Sequence, residues 1–322
     1  MSAEPPEADP PSRFASLIAT FVALRERFTG AGRRSPLAER AMLGGAGILF
    51  VGATVLAARS LPDVQADPQY VLLVLVGVFG VPAATLVNAA EYVAAGRSLG
   101  HRVGALHAAR VSTVATAANL LPIPGAVLVR ARALRVLGSN YRKSLAVLGA
   151  IGVIWLGTTG VLAGAVLLVD RDHIALALAF IAGGVVAGAG AYALLRFSIS
   201  AREAPRWFGR FALIEVASVG VFAIRFTLVL NGLGFHTSWS QTFTLTISTA
   251  AASAVGILPG GLGLREVLAA ALAPLVGLPA AVALFAVSVD RIIGLVVLAL
   301  MSAALMFFGR GAEAEVASDA EA

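Results

Sequence analysis

The sequence predicts an all-α polytopic membrane protein, with about six full transmembrane helices and two re-entrant broken-helix hairpins in two inverted repeats. Three observations predict it. Of 322 residues, 58% are hydrophobic and only 13% charged, against about 25% charged in an ordinary soluble domain. Apolar runs of roughly 20 residues, the length that spans a bilayer, recur along the chain. Two further apolar stretches interrupt themselves at Pro/Gly clusters, LPIPG (121–125) and LPGGLG (258–263).

The elements follow in order. Residues 1–12, MSAEPPEADPPS, are rich in Pro and acids and are not expected to fold. Arg13, Arg25, Arg27, Arg33, Arg34 and Arg40 come next, with Phe14, Leu17, Ile18, Phe21 and Leu24 at helical spacing. This pattern fits a short amphipathic helix on the membrane surface, and a plain basic tail equally well. Residues 1–40 are therefore read as a cytoplasmic N-terminal tail, without a cleavable signal peptide. The membrane domain is 41–308, and 309–322, GRGAEAEVASDAEA, is read as an acidic cytoplasmic tail.

Within the membrane domain, full spans are expected at 41–58, 70–93, 144–169, 173–195, 211–230 and 280–308. The interrupted stretches are 107–137 and 241–277. Pro122, Pro124 and Gly125 break the first; Pro259, Gly260, Gly261 and Gly263 break the second. Proline has no N–H for the helical ladder and disfavours helix at the residue before it. The pieces on either side are short for independent crossings, so each stretch reads as a hairpin that enters and leaves on one side.

Charge placement supports this reading. With a cytoplasmic N-terminus and two hairpins, nineteen of the 24 Lys and Arg residues fall inside. Only Arg59 and Arg171 fall outside, and Arg225, Arg265 and Arg291 lie within spans. A crossing at 107–127 would instead send Arg130, Arg132, Arg135, Arg142 and Lys143 outside, against the positive-inside rule. The order of two spans, a hairpin and a span then occurs twice, at 41–169 and 173–308, with the second copy inverted. Pro124-Gly125-x4-Arg130 and Pro259-Gly260-x4-Arg265 share a pattern 135 residues apart. Inverted repeats whose broken helices meet near mid-membrane are a recurring transporter design.

Irregular backbone at membrane depth is tolerated only where protein or a wet cavity surrounds it, so both breaks should face a polar interior. Gly125 and Gly263 stand at the expected cap positions, where neither supplies a capping side chain. A helix N-terminus with free N–H groups suits an anion such as a lipid phosphate. The competing reading is that Glu266 caps its own helix.

Within the second repeat's apolar segments, the charges Arg225, Arg265, Glu266, Asp290 and Arg291 stand out. Each costs roughly 2.5–3.5 kcal/mol at the bilayer centre, so they are expected to cluster. Three Arg against two carboxylates leave one positive charge to meet an anionic head group; the alternative is an ion-pair lock joining hairpin to bundle. After the first break, Arg130 matches Arg265 and has Glu91, Asn88 and Asn119 nearby in the topology. Arg132 and Arg135 read as arginines snorkelling to lipid heads. Thr242, Thr244, Thr246, Ser248, Thr249 and Ser253 could line a path, but small hydroxyl residues more often mark close helix contacts.

Cysteine is absent, which removes disulfides, thiol nucleophiles and Cys-based metal sites. His101, His107, His173 and His236 lack ligand spacing, so no metal or other cofactor is expected. The net charge of +6 comes from arginines flanking spans and does not imply nucleic acid. No nucleophile–base pair stands out, and the chain is not expected to be an enzyme.

LPGGLGLRE, the Gly-Leu-Pro turn at 277–279 and Val-Asp-Arg-Ile-Ile-Gly at 289–294 resemble the transmembrane flippase region of lysylphosphatidylglycerol synthases. The earlier AANLLPIPG and VRARALRVLG stretches are similar in a looser way. The family usually carries an acid shortly after the first Pro-Gly, where this chain reads Gly125-Ala126-Val127, and a charged pair where IGVIWLG (151–157) is apolar. In full-length synthases the resemblance implies a soluble domain that makes aminoacyl-phosphatidylglycerol and a membrane region that flips it. No loop of this chain could house such a domain, so it is not expected to aminoacylate lipid by itself.

The resemblance implies a multi-pass protein of a bacterial cytoplasmic membrane that translocates a lipid with an anionic or zwitterionic head. A modified phospholipid, a glycolipid or a polyprenyl-phosphate carrier would qualify. Arg265, Glu266, Arg130, Arg225, Asp290 and Arg291 are the expected head-group residues. The alternatives are a secondary transporter of a small solute or ion, with proton coupling at Asp290 or Glu266, and a non-transporting partner of a lipid-synthesising enzyme. Expected partners are membrane lipids, with a separate lipid-modifying enzyme and a second copy of the chain as candidates.

Overall fold

The computed structural model describes residues 51–52, 54–55, 58–59, 68–118, 125–170, 173–255 and 263–320, and every regular element among them is a helix. Helix α1 is Tyr70–Ser98. It is followed by α2 (Ala105–Ala118), α3 (Gly125–Val136), α4 (Tyr141–Asp170), α5 (Ile174–Ser198) and α6 (Ala204–Gly232). Then come α7 (Trp239–Val255), α8 (Leu264–Leu272), a 3-10 turn at Ala273–Val276, and α9 (Ala280–Ala320).

Five of these helices, α1, α4, α5, α6 and α9 as far as Leu305, are long and apolar enough to cross a membrane. They correspond to the expected spans from 70–93 onward, but run further. α1 continues to Ser98 and α6 already begins at Ala204, because hydrocarbon thickness limits the apolar run and not the hydrogen-bonded ladder. The tail expected from residue 309 continues α9 as helix to Ala320. The expected N-terminal surface helix and most of the span at 41–58 lie outside the described residues.

Where the sequence shows an unbroken span at 70–93, α1 contains a wide π turn at Val76–Gly80. Pro82 explains it: the ring cannot donate to the carbonyl one turn earlier, and the wider turn absorbs that mismatch. π turns of this kind are frequent at functional sites. α6 ends where Gly234 turns left-handed at φ +86°. The Phe235 N–H then closes onto Leu230 O at 2.9 Å, satisfying a carbonyl that the helix leaves open.

Two large apolar cores form among the described residues, with a third, small cluster at Leu167, Ala177 and Val276. One gathers Tyr92, Leu134, Ile151, Ile154, Leu195 and Phe211, and the other Val76, Phe226, Leu230, Leu245, Ala273 and Val287. α1 contributes Tyr92 to the first and Val76 to the second, while α6 contributes Phe211 and then Phe226. The two helices therefore run antiparallel between the cores, side by side. α2 packs on α3, and α7 on α8, as paired half-helices would.

α4 and α5 make the closest helix pair. Gly157 and Gly160 face Gly184, Gly164 faces Ala177 and Ile181, and a Cβ on Gly184 would stand 2.5 Å from Gly157 O. Small residues let membrane helices approach this closely because dispersion, not water, holds them together. Gly184→Leu is expected to destabilise the protein by about 1–3 kcal/mol or more, since backbone cannot move aside as a side chain can. Gly183→Leu, at a position with nothing within 4 Å of the added carbon, is expected to melt in detergent like the parent. Equal melting of both variants would remove the close α4–α5 contact as a stabilising feature.

Candidate functional site

Charges of α6, α8 and α9 converge around Asp290, which is completely buried on α9. Arg225 of α6 reaches its Oδ1 through Nε at 3.0 Å and Nη2 at 2.8 Å. Arg265 of α8 reaches Oδ2 through Nη2 at 2.7 Å. Beside them, Arg291 Nη1 donates to Glu266 Oε1 at 2.8 Å. All five expected residues are thus brought together, as one carboxylate held by two guanidinium groups and one separate pair. The set keeps one positive charge in excess.

Local features aim these side chains. Arg225 and Arg265 lie over the rings of Phe222 and Phe226, at 5.1 and 5.3 Å from their centroids, where the ring faces attract a cation. The Arg225 stem lies against Gly80 in the π turn of α1, where an added Cβ would come within 2.8 Å of Cγ. The π turn ahead of Pro82 and the missing side chain at Gly80 together make room for a guanidinium within the bundle. Gly263 takes φ +80° ahead of α8 and no side chain caps that helix. Glu266 accepts from Arg291 while its Oε2 has no hydrogen-bond partner among the described residues. The structure therefore does not make Glu266 the cap of its own helix. Arg265 Nε is likewise without a partner there.

A second charged set lies on the other core. Arg130 of α3 is buried and donates from Nη1 to Glu91 Oε1 of α1 at 2.7 Å. Arg132 and Arg135, on the same helix, are exposed, so Arg130 alone of the three turns inward. Glu215 of α6 is only 2% exposed, its Oε1 lacks a partner among the described residues, and it stands in electrostatic reach of Glu91 and Arg130. This set keeps one negative charge in excess. Glu215 was not among the residues expected from the sequence. The signal for it was present in FALIEVASVG (211–220), a lone acid in an apolar run.

Glu215 and Arg225 are ten residues apart on α6, about 15 Å along the axis. One helix thus carries an acid of the negative set and an arginine of the positive set at two depths. Between α4, α6 and α8, α7 buries Thr242, Thr244, Thr246, Ser248 and Thr249. Thr242, Thr246 and Ser248 bond carbonyls of α7 itself, which fits close helix packing, whereas Thr244 and Thr249 have no partner among the described residues. Ser253 is exposed. Asn88 offers its backbone carbonyl to Ser112.

Of the break residues, Pro122, Pro124, Pro259, Gly260 and Gly261 lie outside the described residues, as does Asn119. Gly125 is already the first residue of α3 and not a residue ahead of it, because a half-helix that begins directly after Pro124 takes its first helical backbone angles there.

Five apolar helices with ion pairs buried among them define a multi-pass membrane protein. Residues 199–302 match the family model described as the lysylphosphatidylglycerol synthase TM region. That segment carries Glu215 and all five residues of the Asp290 set; Glu91, Arg130 and the looser first-repeat motif precede it. No curated protein and no solved structure matches the chain.

Proposed function

We propose that this protein translocates a lipid with an anionic or zwitterionic head across the cytoplasmic membrane, as a transporter and not as an enzyme. The observation that carries the reading is the Asp290 set: a buried arginine cluster with one positive charge in excess, beside the uncapped N-terminus of α8. Free N–H groups and an unspent guanidinium donor suit a phosphate oxygen, and Arg265, with 13% of its side chain exposed, is the least enclosed of the paired groups.

In this reading α2–α3 and α7–α8 are the two re-entrant hairpins, and rocking of two inverted repeats switches access between leaflets. Glu91 and Arg225 favour the repeat, since each is residue 22 of a 29-residue helix, α1 and α6. Both termini are cytoplasmic, so that the exposed Arg132 and Arg135 meet the inner leaflet and gather anionic heads. A separate enzyme would supply the modified lipid.

Lipids that co-purify in mild detergent, identified by mass spectrometry, test the reading. One lipid class should be enriched with the parent protein and reduced several-fold with Arg265→Ala. A profile equal to bulk membrane in both proteins would reject head-group binding and favour a small-solute transporter.

A further inference from the structure

The negative set has no role in the phosphate-binding reading, and its composition is unusual for hydrocarbon. Two buried carboxylates, Glu91 bonded to Arg130 and Glu215 within electrostatic reach of both, stand with one guanidinium between them, beside a core that includes Tyr92, Ile154, Trp207 and Phe211. Arg130 is engaged with Glu91 only. Its Nε and Glu215 Oε1 are both buried and without a partner among the described residues. A donor and an acceptor thus stand unspent in the same site.

Among the described residues, no other side chain is seen bonded to either carboxylate; α2, packed on α1 and α3, brings His107 within 6.4 Å of the Tyr92 ring and carries Arg110, whose buried Nε has no partner there. α1 adds Tyr92, whose buried hydroxyl has no partner among the described residues. α7 and residues 144–169 of α4 carry no titratable side chain. On α5, Tyr192 rests edge-on against Phe208, and Arg196 belongs to the last turn. On α6 itself, Arg210 stacks over Trp207 and Arg225 is bound to Asp290; Arg206 lies in the first turn. On α9, Asp290 and Arg291 pair with the positive set.

We propose that Glu215, Glu91 and Arg130 form a proton-binding site that couples lipid movement to a proton gradient. A buried charge without a counter-charge neutralises rather than persists, and one proton closes this set: carboxylate plus proton gives a neutral carboxylic acid, with the remaining carboxylate paired to Arg130. The three residues lie on three helices, α6, α1 and α3. Moving the proton from Glu215 to Glu91 releases Arg130 from α1 and offers it to α6, which shifts the first hairpin helix against the bundle. A metal cation suits the site less well, because a guanidinium already stands beside the few oxygens available. Asp290, with both oxygens bound by arginine, has no comparable freedom.

The proton site stands independently; only its coupling rests on the translocation reading. Two measurements separate them. Infrared titration of the purified protein should show a protonated-carboxyl band that disappears in Glu215→Gln and shifts in Glu215→Asp, which keeps the acid should the amide fold poorly. An unchanged band in both variants would overturn the assignment of Glu215. In proteoliposomes carrying a fluorescent anionic phospholipid, an imposed pH gradient should accelerate movement by the parent protein by up to about tenfold per pH unit, and Glu215→Gln should abolish that response. Lipid movement that responds to sodium and ignores the pH gradient would overturn the coupling. A titrating Glu215 band with no lipid movement by the parent would leave the proton site in place and reject the translocation reading.

Discussion

Asp290→Asn is expected to be the most damaging single substitution in the Asp290 cluster, with a loss of about 3–5 kcal/mol of stability. The side chain is nearly isosteric, so packing is not the cause. The amide offers one acceptor oxygen in place of two charged ones, leaving Arg225 and Arg265 facing each other without a counter-charge. Breaking a buried ion pair on one side is costly because the remaining charge stays buried, and here there are two. Arg265→Ala should cost much less, since Asp290 keeps Arg225 and the removed charge is the least enclosed of the set. Thermal unfolding in detergent, followed by size exclusion, gives the comparison. Equal losses for the two variants would mean that the five charges lock α8 to the bundle, and would take Arg265 away from any ligand.

How far this site could be read from the sequence follows from the energetics. A charge in an apolar run is expensive enough to be noticed, and that put Arg225, Arg265, Glu266, Asp290 and Arg291 in one cluster before any coordinates. Their pairing was not legible. Whether Arg225 meets Asp290 or Glu266 depends on the rotation of α6 against α9, which no spacing rule encodes. Glu215 was overlooked for a different reason: it stands only five residues into the apolar run that begins at Phe211. The helix in fact begins at Ala204, which places Glu215 well inside it. The π turn had a visible cause in Pro82, but its consequence, the space over Gly80 that Arg225 fills, required the neighbouring helix. The helical pieces around both breaks were legible from Pro and Gly.

Arg130→Leu is the corresponding test on the Glu91 set, and it should cost about 3–5 kcal/mol, while Arg132→Ala on the same helix should cost almost nothing. Arg132 is exposed, and an exposed arginine on a helix surface contributes little to folding. Removing Arg130 leaves Glu91 and Glu215 buried without the one ion-pair partner seen among the described residues. The remedy distinguishes a charge effect from lost packing. Adding Glu91→Leu and Glu215→Leu to Arg130→Leu should restore most of the melting temperature, because a well-packed apolar replacement of a buried charged set is often neutral or stabilising. If the triple variant melts as low as Arg130→Leu alone, the arginine stem and not its charge holds α3 against α1. A triple variant that is stable, binds lipid and no longer responds to a pH gradient would show that this set is kept for coupling and not for the fold.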